Sequence, residues 1–300
     1  MSIRPPLPTT SAGARAKLGL PELAEMKRRG DKISMVTAYD APSALLAEEA
    51  GVDLILVGDT AAMVVFGHDS TLPVTLEEMI LLTRAVSRSA RHPLVVGDLP
   101  FGSYEVSDEQ AVTSAIRLVK EGGADVVKLE GAGRMAARVR AIAESNIGVI
   151  GHIGLTPQSA TRLGGFRTQG RTAASALALF DEALSLEQAG AVAVVLEAVP
   201  APVAAAISER LALPTIGIGA GPACDGQVLV WHDLLGLSGA ATPRFVRRYA
   251  ELGEEIAAAL RAYVADVRGG NFPEREHTYS IPDEERERFE AALAERRLFG

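Results

Sequence analysis

The chain has 300 residues, 48% of them hydrophobic, with a formal net charge of −8 and a sequence pI near 5.3. That is enough chain for one barrel-sized domain or two smaller ones, and the acidic balance argues against a nucleic-acid surface, which needs concentrated Lys and Arg. A lone cysteine, Cys224, excludes an intrachain disulfide and any Cys-based zinc site, which fits a reducing compartment. The N-terminus MSIRPPLPTTSAGARAK lacks the apolar run of a signal peptide, and no stretch reaches the roughly 18 apolar residues of a membrane span, so the expectation is a soluble, cytoplasmic protein.

Residues 1–18, rich in Pro, Ser, Thr, Ala and Gly without periodicity, are expected to be a flexible N-terminal arm. A helix over Pro21–Arg29 then precedes the first strand, where it can plug the floor of a barrel. From there short, β-branched apolar runs alternate with Ala/Leu/Glu-rich helical stretches, the pattern of a parallel sheet. The runs are Ile33–Ala38, Leu54–Val57, Leu94–Gly97, Val126–Leu129, Val149–His152, Val192–Leu196, Thr215–Ile218 and Val228–Trp231. Helices are expected over Leu76–Ser89, Asp108–Gly122 and Ala173–Ala189, among others. A doubly wound open sheet shares this alternation, but eight strands with polar residues at their ends favour a single α/β domain over residues 19–270, a (β/α)8 TIM barrel. Residues 271–300 change character to a charged tail with a short helix over Asp283–Arg297, whose Phe289 and Leu293 lie four apart on one edge.

A parallel barrel carries its chemistry at the C-terminal ends of the strands, because the interior below is packed with branched side chains. Alternation of faces then demands an inward residue two positions before each inward rim residue. Val57 precedes Asp59, Val96 precedes Asp98, Ile150 precedes His152, Val195 precedes Glu197, and Val126–Lys128–Glu130 continues one row. Asp59 and Asp98 end neighbouring strands, about 4.8 Å apart, and can converge on one cation. Oxygen donors without cysteine favour Mg2+ or Mn2+. Glu130 is then either a direct ligand or the holder of a metal-bound water. Lys128, two residues earlier on the same face, either pairs with Glu130 or meets a substrate carboxylate or developing oxyanion. His152 is read as a donor to a substrate oxygen or as a satisfied core histidine. Glu197 comes from the far side of the barrel, and its apolar flank Val194–Leu196 is expected to raise its pKa toward the range useful for proton abstraction. A role for Asp59 as a helix cap is disfavoured, because residues 60–74 read as a long loop. The glycines of Gly217–Gly221 suit either phosphate binding or close packing.

The segments TAYDAPSA, LVGDT, GHDSTLPVT, GDLPFGSY, VKLEG, GHIGLTPQS, GGFRTQGR, LEAVP and IGIGAG with CDGQVLVWHD closely resemble the ketopantoate hydroxymethyltransferases (3-methyl-2-oxobutanoate hydroxymethyltransferases), over roughly residues 19–270. The resemblance implies a magnesium-dependent TIM-barrel enzyme of pantothenate biosynthesis, a homo-oligomer and typically a decamer. Such an enzyme transfers a one-carbon unit from 5,10-methylenetetrahydrofolate to 3-methyl-2-oxobutanoate. Carried over by motif, Asp59 and Asp98 resemble the metal-binding aspartates, and Asp59, Thr60, Asp98 and Lys128 the oxo-acid contacts. Glu130 resembles a further metal-associated carboxylate, Glu197 the proton acceptor and His152 another pocket position. Two departures stand out: Thr60-Ala61-Ala62 where the family commonly has Ser-Leu-Gly, and a charged tail beyond the usual family end. The nearest rival is a metal-enolate barrel of the phosphoenolpyruvate mutase or isocitrate lyase type, which usually carries a reactive cysteine or basic cluster in a mobile loop. GHDSTLPVT has no such character. A barrel that only binds or assembles would not need a base opposite a metal site.

Overall fold

The computed structural model describes residues 16–165, 167–239 and 242–297. Its strands are β1 (Ile33–Thr37), β2 (Leu54–Val57), β3 (Leu94–Asp98), β4 (Val126–Glu130), β5 (Gly148–Gly154), β6 (Ala193–Glu197), β7 (Thr215–Ile218) and β8 (Gly226–Leu229). All pair in parallel with their sequence neighbours, and β8 returns to β1 with Ile33 opposite Gly226, so the sheet closes in the order β1 to β8. The fold is therefore the (β/α)8 barrel, and the open-sheet alternative is excluded.

Alternation sorts the apolar residues into two layers. Met35, Leu54, Leu56, Leu94, Val96, Val126, Ile150, Val195, Ile216 and Val228 fill the interior. Leu23 and Met26 of the helix Leu20–Arg29 join this cluster, as expected of a plug. Val36, Ile55, Val57, Val95, Val127, Val149 and Val194 face outward into the layer shared with the helices.

Four local readings change. β8 begins two residues early, at Gly226, because its backbone runs against β1: a Cβ there would meet the Ile33 carbonyl oxygen at 2.6 Å. A glycine that looks like a strand breaker is here the residue that lets two strands approach. Trp231 leaves the sheet to start the short helix Trp231–Leu234, its N–H donated to Thr37 Oγ1 at 2.9 Å. The expected loop at 60–74 opens with a short helix, Ala61–Val64. The helix from Asp108 is α-helical only to Arg117 and closes in a π-turn over Leu118–Gly122.

Residues 1–15 of the expected arm lie outside the described residues. Lys17 and Leu18 are held: Leu18 is buried and donates its N–H to His92 O at 2.8 Å, and Lys17 Nζ reaches Asp125 at 2.6 Å. The chain forms two compact units, divided between Ala250 and Glu251. The barrel lies in the first. The second comprises helices Leu252–Gly269 and Asp283–Arg297 around a short turn at Arg275–His277, with Phe272 stacked edge-on to Tyr263. The tail helix stands at its expected residues, with Phe289 and Leu293 exposed.

Candidate active site

Asp98 ends β3 opposite Lys128 of β4, and Glu130 ends β4 opposite His152 of β5. These pairings decide the contacts. Lys128 Nζ lies 2.7 Å from both Asp98 carboxylate oxygens but 3.9 Å from Glu130 Oε1. The partner of Lys128 is thus Asp98 across the strands. Along a strand, residues two apart are about 6.6 Å from each other, against about 4.8 Å between strands.

Asp59 reaches the rim by a different route from the one its spacing suggested. Val57 faces the helices, and Leu56 is the inward residue of β2. The strand ends at Val57, and the turn through Gly58 swings Asp59 inward. Its N–H donates to Asp98 Oδ2 at 3.1 Å, and its own Oδ2 accepts from Gln158 Nε2 at 2.9 Å. Thr60, not Asp59, occupies the N-cap of Ala61–Val64, and its hydroxyl makes no cap bond.

Gln158 and Tyr104 escaped the sequence reading. Gln158, fully committed, donates Nε2 to Asp59 and Leu99 O, accepts the Tyr104 hydroxyl at Oε1, and donates its N–H to Glu130 Oε2 at 3.0 Å. Tyr104 Oη in turn accepts the Glu130 N–H at 3.3 Å. Tyr104 lies in a loop and Gln158 in the single 3-10 turn Pro157–Ser159, too short for any periodicity to mark a residue as inward, although both sit inside quoted motifs, GDLPFGSY and GHIGLTPQS. Together they tie Asp59 to Glu130.

Glu197 ends β6 with its Oε2 3.1 Å from His152 Nε2, and His152 Nδ1 lies 3.3 Å from Glu130 Oε1. Neither approach has the direction of a hydrogen bond. His152 therefore stands between the two glutamates, and the flank of Glu197 is not wholly apolar as expected. The close approach of β5 to β6 requires Gly154: at φ +92°, a Cβ there would meet the Glu197 carbonyl oxygen at 2.3 Å.

Asp59, Asp98, Lys128, Glu130 and His152 are all buried. Burial, then repulsion from Asp98 and Glu130, pushes the Asp59 carboxyl up to about 8. Burial also raises Asp98, against the pull of Lys128. Burial alone would discharge Lys128 and His152, yet the surrounding carboxylates prevail. Lys128 is held above its usual range, and His152 rises to about 9, an imidazolium at neutral pH. Glu130 would likewise be raised by burial, but His152, Lys128 and the Gln158 N–H bring it below its usual value.

A cavity of about 990 Å³ is lined by Thr60, Glu197, Thr71, His232, Ser238 and Phe245 among others. Of the rim residues only Thr60 and Glu197 line it; Asp59, Asp98, Lys128, Glu130 and His152 do not. The glycines at 219 and 221 are explained by packing, since Cβ atoms there would strike Phe245 and Ala201. Among the described residues no three His, Cys, Asp or Glu side chains form a ready-made ligand set for one ion.

The family model for ketopantoate hydroxymethyltransferase matches residues 17–275. The chain is 56% identical over 265 residues to 3-methyl-2-oxobutanoate hydroxymethyltransferase of Moorella thermoacetica, covering 88% of this chain and 98% of that one. It belongs to the ketopantoate hydroxymethyltransferase family. It is thereby a hydroxymethyltransferase. A relative in Thermobifida fusca is 52% identical across 93% of this chain and all of its own, and one in Arabidopsis thaliana, named as mitochondrial, is 52% identical across 91% and 81%. Among solved structures, phosphonopyruvate hydrolase aligns with a TM-score of 0.57 at 12% identity, over 92% of this chain and 98% of that chain. For 2,3-dimethylmalate lyase the values are 0.56 and 17%, over 94% and 98%. Those likenesses establish the barrel alone.

The family model ends at residue 275, but the alignment with the Nitratidesulfovibrio vulgaris relative spans 96% of the chain, which takes in at least half of residues 271–300. At the Thr60-Ala61-Ala62 departure, both alanines are fully buried in the outer core, while Thr60 lines the cavity.

Proposed function

We propose that the chain hydroxymethylates 3-methyl-2-oxobutanoate with 5,10-methylenetetrahydrofolate, giving 2-dehydropantoate and tetrahydrofolate, as a cytoplasmic step of pantothenate biosynthesis. The observation that carries this reading is Glu197 at the cavity wall, facing across His152 a buried set of three carboxylates and Lys128. Family membership supplies the two substrates.

The donor set fits Mg2+. Its oxygens are hard, no thiolate is present, and repulsion among Asp59, Asp98 and Glu130 leaves the pocket short of positive charge. Asp59 and Asp98 would hold the ion, leaving other positions to water and substrate. Glu130 Oε1, buried without a hydrogen bond, is available to the ion or to a water on it. When bound, Mg2+ supplies Lewis-acid stabilisation of negative charge on the oxo oxygen.

The chain's own residues do the rest. Lys128, kept protonated by Asp98, gives the substrate carboxylate a fixed cation, with Thr60 as a neighbouring hydroxyl. Glu197 accepts the C3 proton, and the His152 imidazolium at its Oε2 orients it. C3 then forms its bond to the methylene carbon. One water balances the reaction: its hydroxyl completes CH2OH, and tetrahydrofolate leaves with the C3 proton and the remaining hydrogen of that water. Gln158, bonded to Tyr104 and Leu99 O, would hold Asp59 and Glu130 in place during this step.

The active form is proposed to be a homo-oligomer, a decamer by family resemblance. In support, the helix Leu252–Gly269 buries none of its residues, and Ile256, Leu260, Tyr263 and Val267 form an exposed apolar stripe.

Exchange of the C3 hydrogen in deuterated water, followed by proton NMR, tests the base. Glu197→Gln is expected to keep oxo-acid affinity and lose exchange by about 10²–10⁴-fold. Undiminished exchange would remove Glu197 from this role.

A further inference from the structure

The cavity that Thr60 and Glu197 line extends well beyond those two residues. Its 990 Å³ stands at the upper end of the roughly 300–1,000 Å³ that houses a drug-sized ligand, far more than a small branched oxo acid fills. Among the residues that line it, three polar atoms are buried with no hydrogen-bond partner among the described residues: Thr71 Oγ1, His232 Nδ1 and Ser238 Oγ. Thr71 is 2% exposed. Thr71 belongs to the loop after β2, and His232 and Ser238 to the segment after β8, so two separate segments turn unpaired groups toward one space. Buried polar groups without partners are rare in folded proteins, and leaving one unpaired costs about 1–3 kcal/mol. Three lining one cavity point to a ligand that supplies the missing bonds.

We infer that Thr71, His232 and Ser238 bind the heterocycle of the one-carbon donor. This rests on the proposed reaction and says where its second substrate sits. A pterin edge alternates N–H donors with carbonyl and ring-nitrogen acceptors, which matches two hydroxyls and an imidazole. Burial lowers the His232 pKa against the pull of Asp233 and Asp40, so its ring is neutral, with one nitrogen to donate and one to accept. Met63, Leu237 and Phe245 give the same space flat apolar walls. Glu197 lines the same cavity, so the donor's heterocycle and the proposed base share one space.

The test titrates tetrahydrofolate and 3-methyl-2-oxobutanoate separately into the Mg2+-loaded full chain. Thr71→Val and His232→Phe each remove hydrogen-bonding capacity at nearly constant volume. Each is expected to raise the Kd for tetrahydrofolate about fivefold to tenfold, with the Kd for the oxo acid moving less than about twofold. Thr71→Ser, which restores the hydroxyl, should return folate affinity to within about twofold of the unaltered chain. Loss of oxo-acid affinity with folate affinity unchanged would overturn the inference, as would variants in which neither moves. An unaltered chain that binds no tetrahydrofolate would instead overturn the proposed reaction itself, and this inference with it.

Discussion

Asp59 and His152 bind their protons more tightly in the folded rim than in an unfolded chain, and the consequence can be measured. Asp59 sheds its proton near 3.8 when exposed but at about 8 in the rim; for His152 the values are 6.5 and about 9. Over both intervals the folded state holds more protons, so unfolding free energy falls as pH rises, across 3.8 to 8 for Asp59 and 6.5 to 9 for His152. In chelator, the melting temperature is therefore expected to decline from about pH 6 to about pH 9, and added Mg2+ to raise it more at the alkaline end. A flat profile, or an equal rise at both ends, would contradict this charge arrangement. Gln158 offers a second test, because it fixes Asp59 and Glu130 without being an ion ligand. Gln158→Leu is expected to weaken Mg2+ binding by about 10–100-fold in titration calorimetry; unchanged affinity would free it of that role. Residues on strands were the legible ones. Asp98, Lys128, Glu130, His152 and Glu197 follow strand alternation directly, whereas Asp59 reaches the rim through a turn that its two-residue spacing from Val57 does not describe. Tyr104 lies in a loop and Gln158 in a single 3-10 turn, where only tertiary contacts distinguish a buried polar side chain from a solvated one.

At the scale of elements, the strands were readable from their β-branched runs and the closure of the sheet from their number, but glycine was ambiguous. The eighth run was read from Val228, yet Gly226 starts β8, because only the neighbouring strand reveals that its missing Cβ is needed. Gly154 makes the same argument beside Glu197, the proposed base. Gly154→Ala combines a left-handed φ with a contact on the Glu197 carbonyl, and is expected to lower unfolding free energy by about 1–3 kcal/mol in urea denaturation. Because the strain falls on the backbone of Glu197, C3 exchange should decline as well, even below the melting temperature. Full exchange in a folded Gly154→Ala chain would show that the β5–β6 approach does not position the base. The helix Ala61–Val64 went unread for a different reason: its few residues are too short a window for any period to register.

For the whole molecule, composition excluded more than it identified, and the barrel became specific only through its long motifs. The charge balance, the lone Cys224 and the strand count fit many parallel barrels, and the structural likeness to phosphonopyruvate hydrolase and 2,3-dimethylmalate lyase shows how little fold alone discriminates. Assembly is a testable property at this scale. Leu260→Asp, in the apolar stripe of Leu252–Gly269, is expected to shift sedimentation toward smaller species, and an unchanged profile would remove that stripe from the proposed interface. Chemistry decides the larger question. The most direct measurement is mass-spectrometric detection of 2-dehydropantoate from 3-methyl-2-oxobutanoate and 5,10-methylenetetrahydrofolate, with and without chelator. The account predicts product that requires both substrates, vanishes on chelation and returns with Mg2+; absence of product with both substrates and Mg2+ present, or product undiminished by chelation, would contradict it.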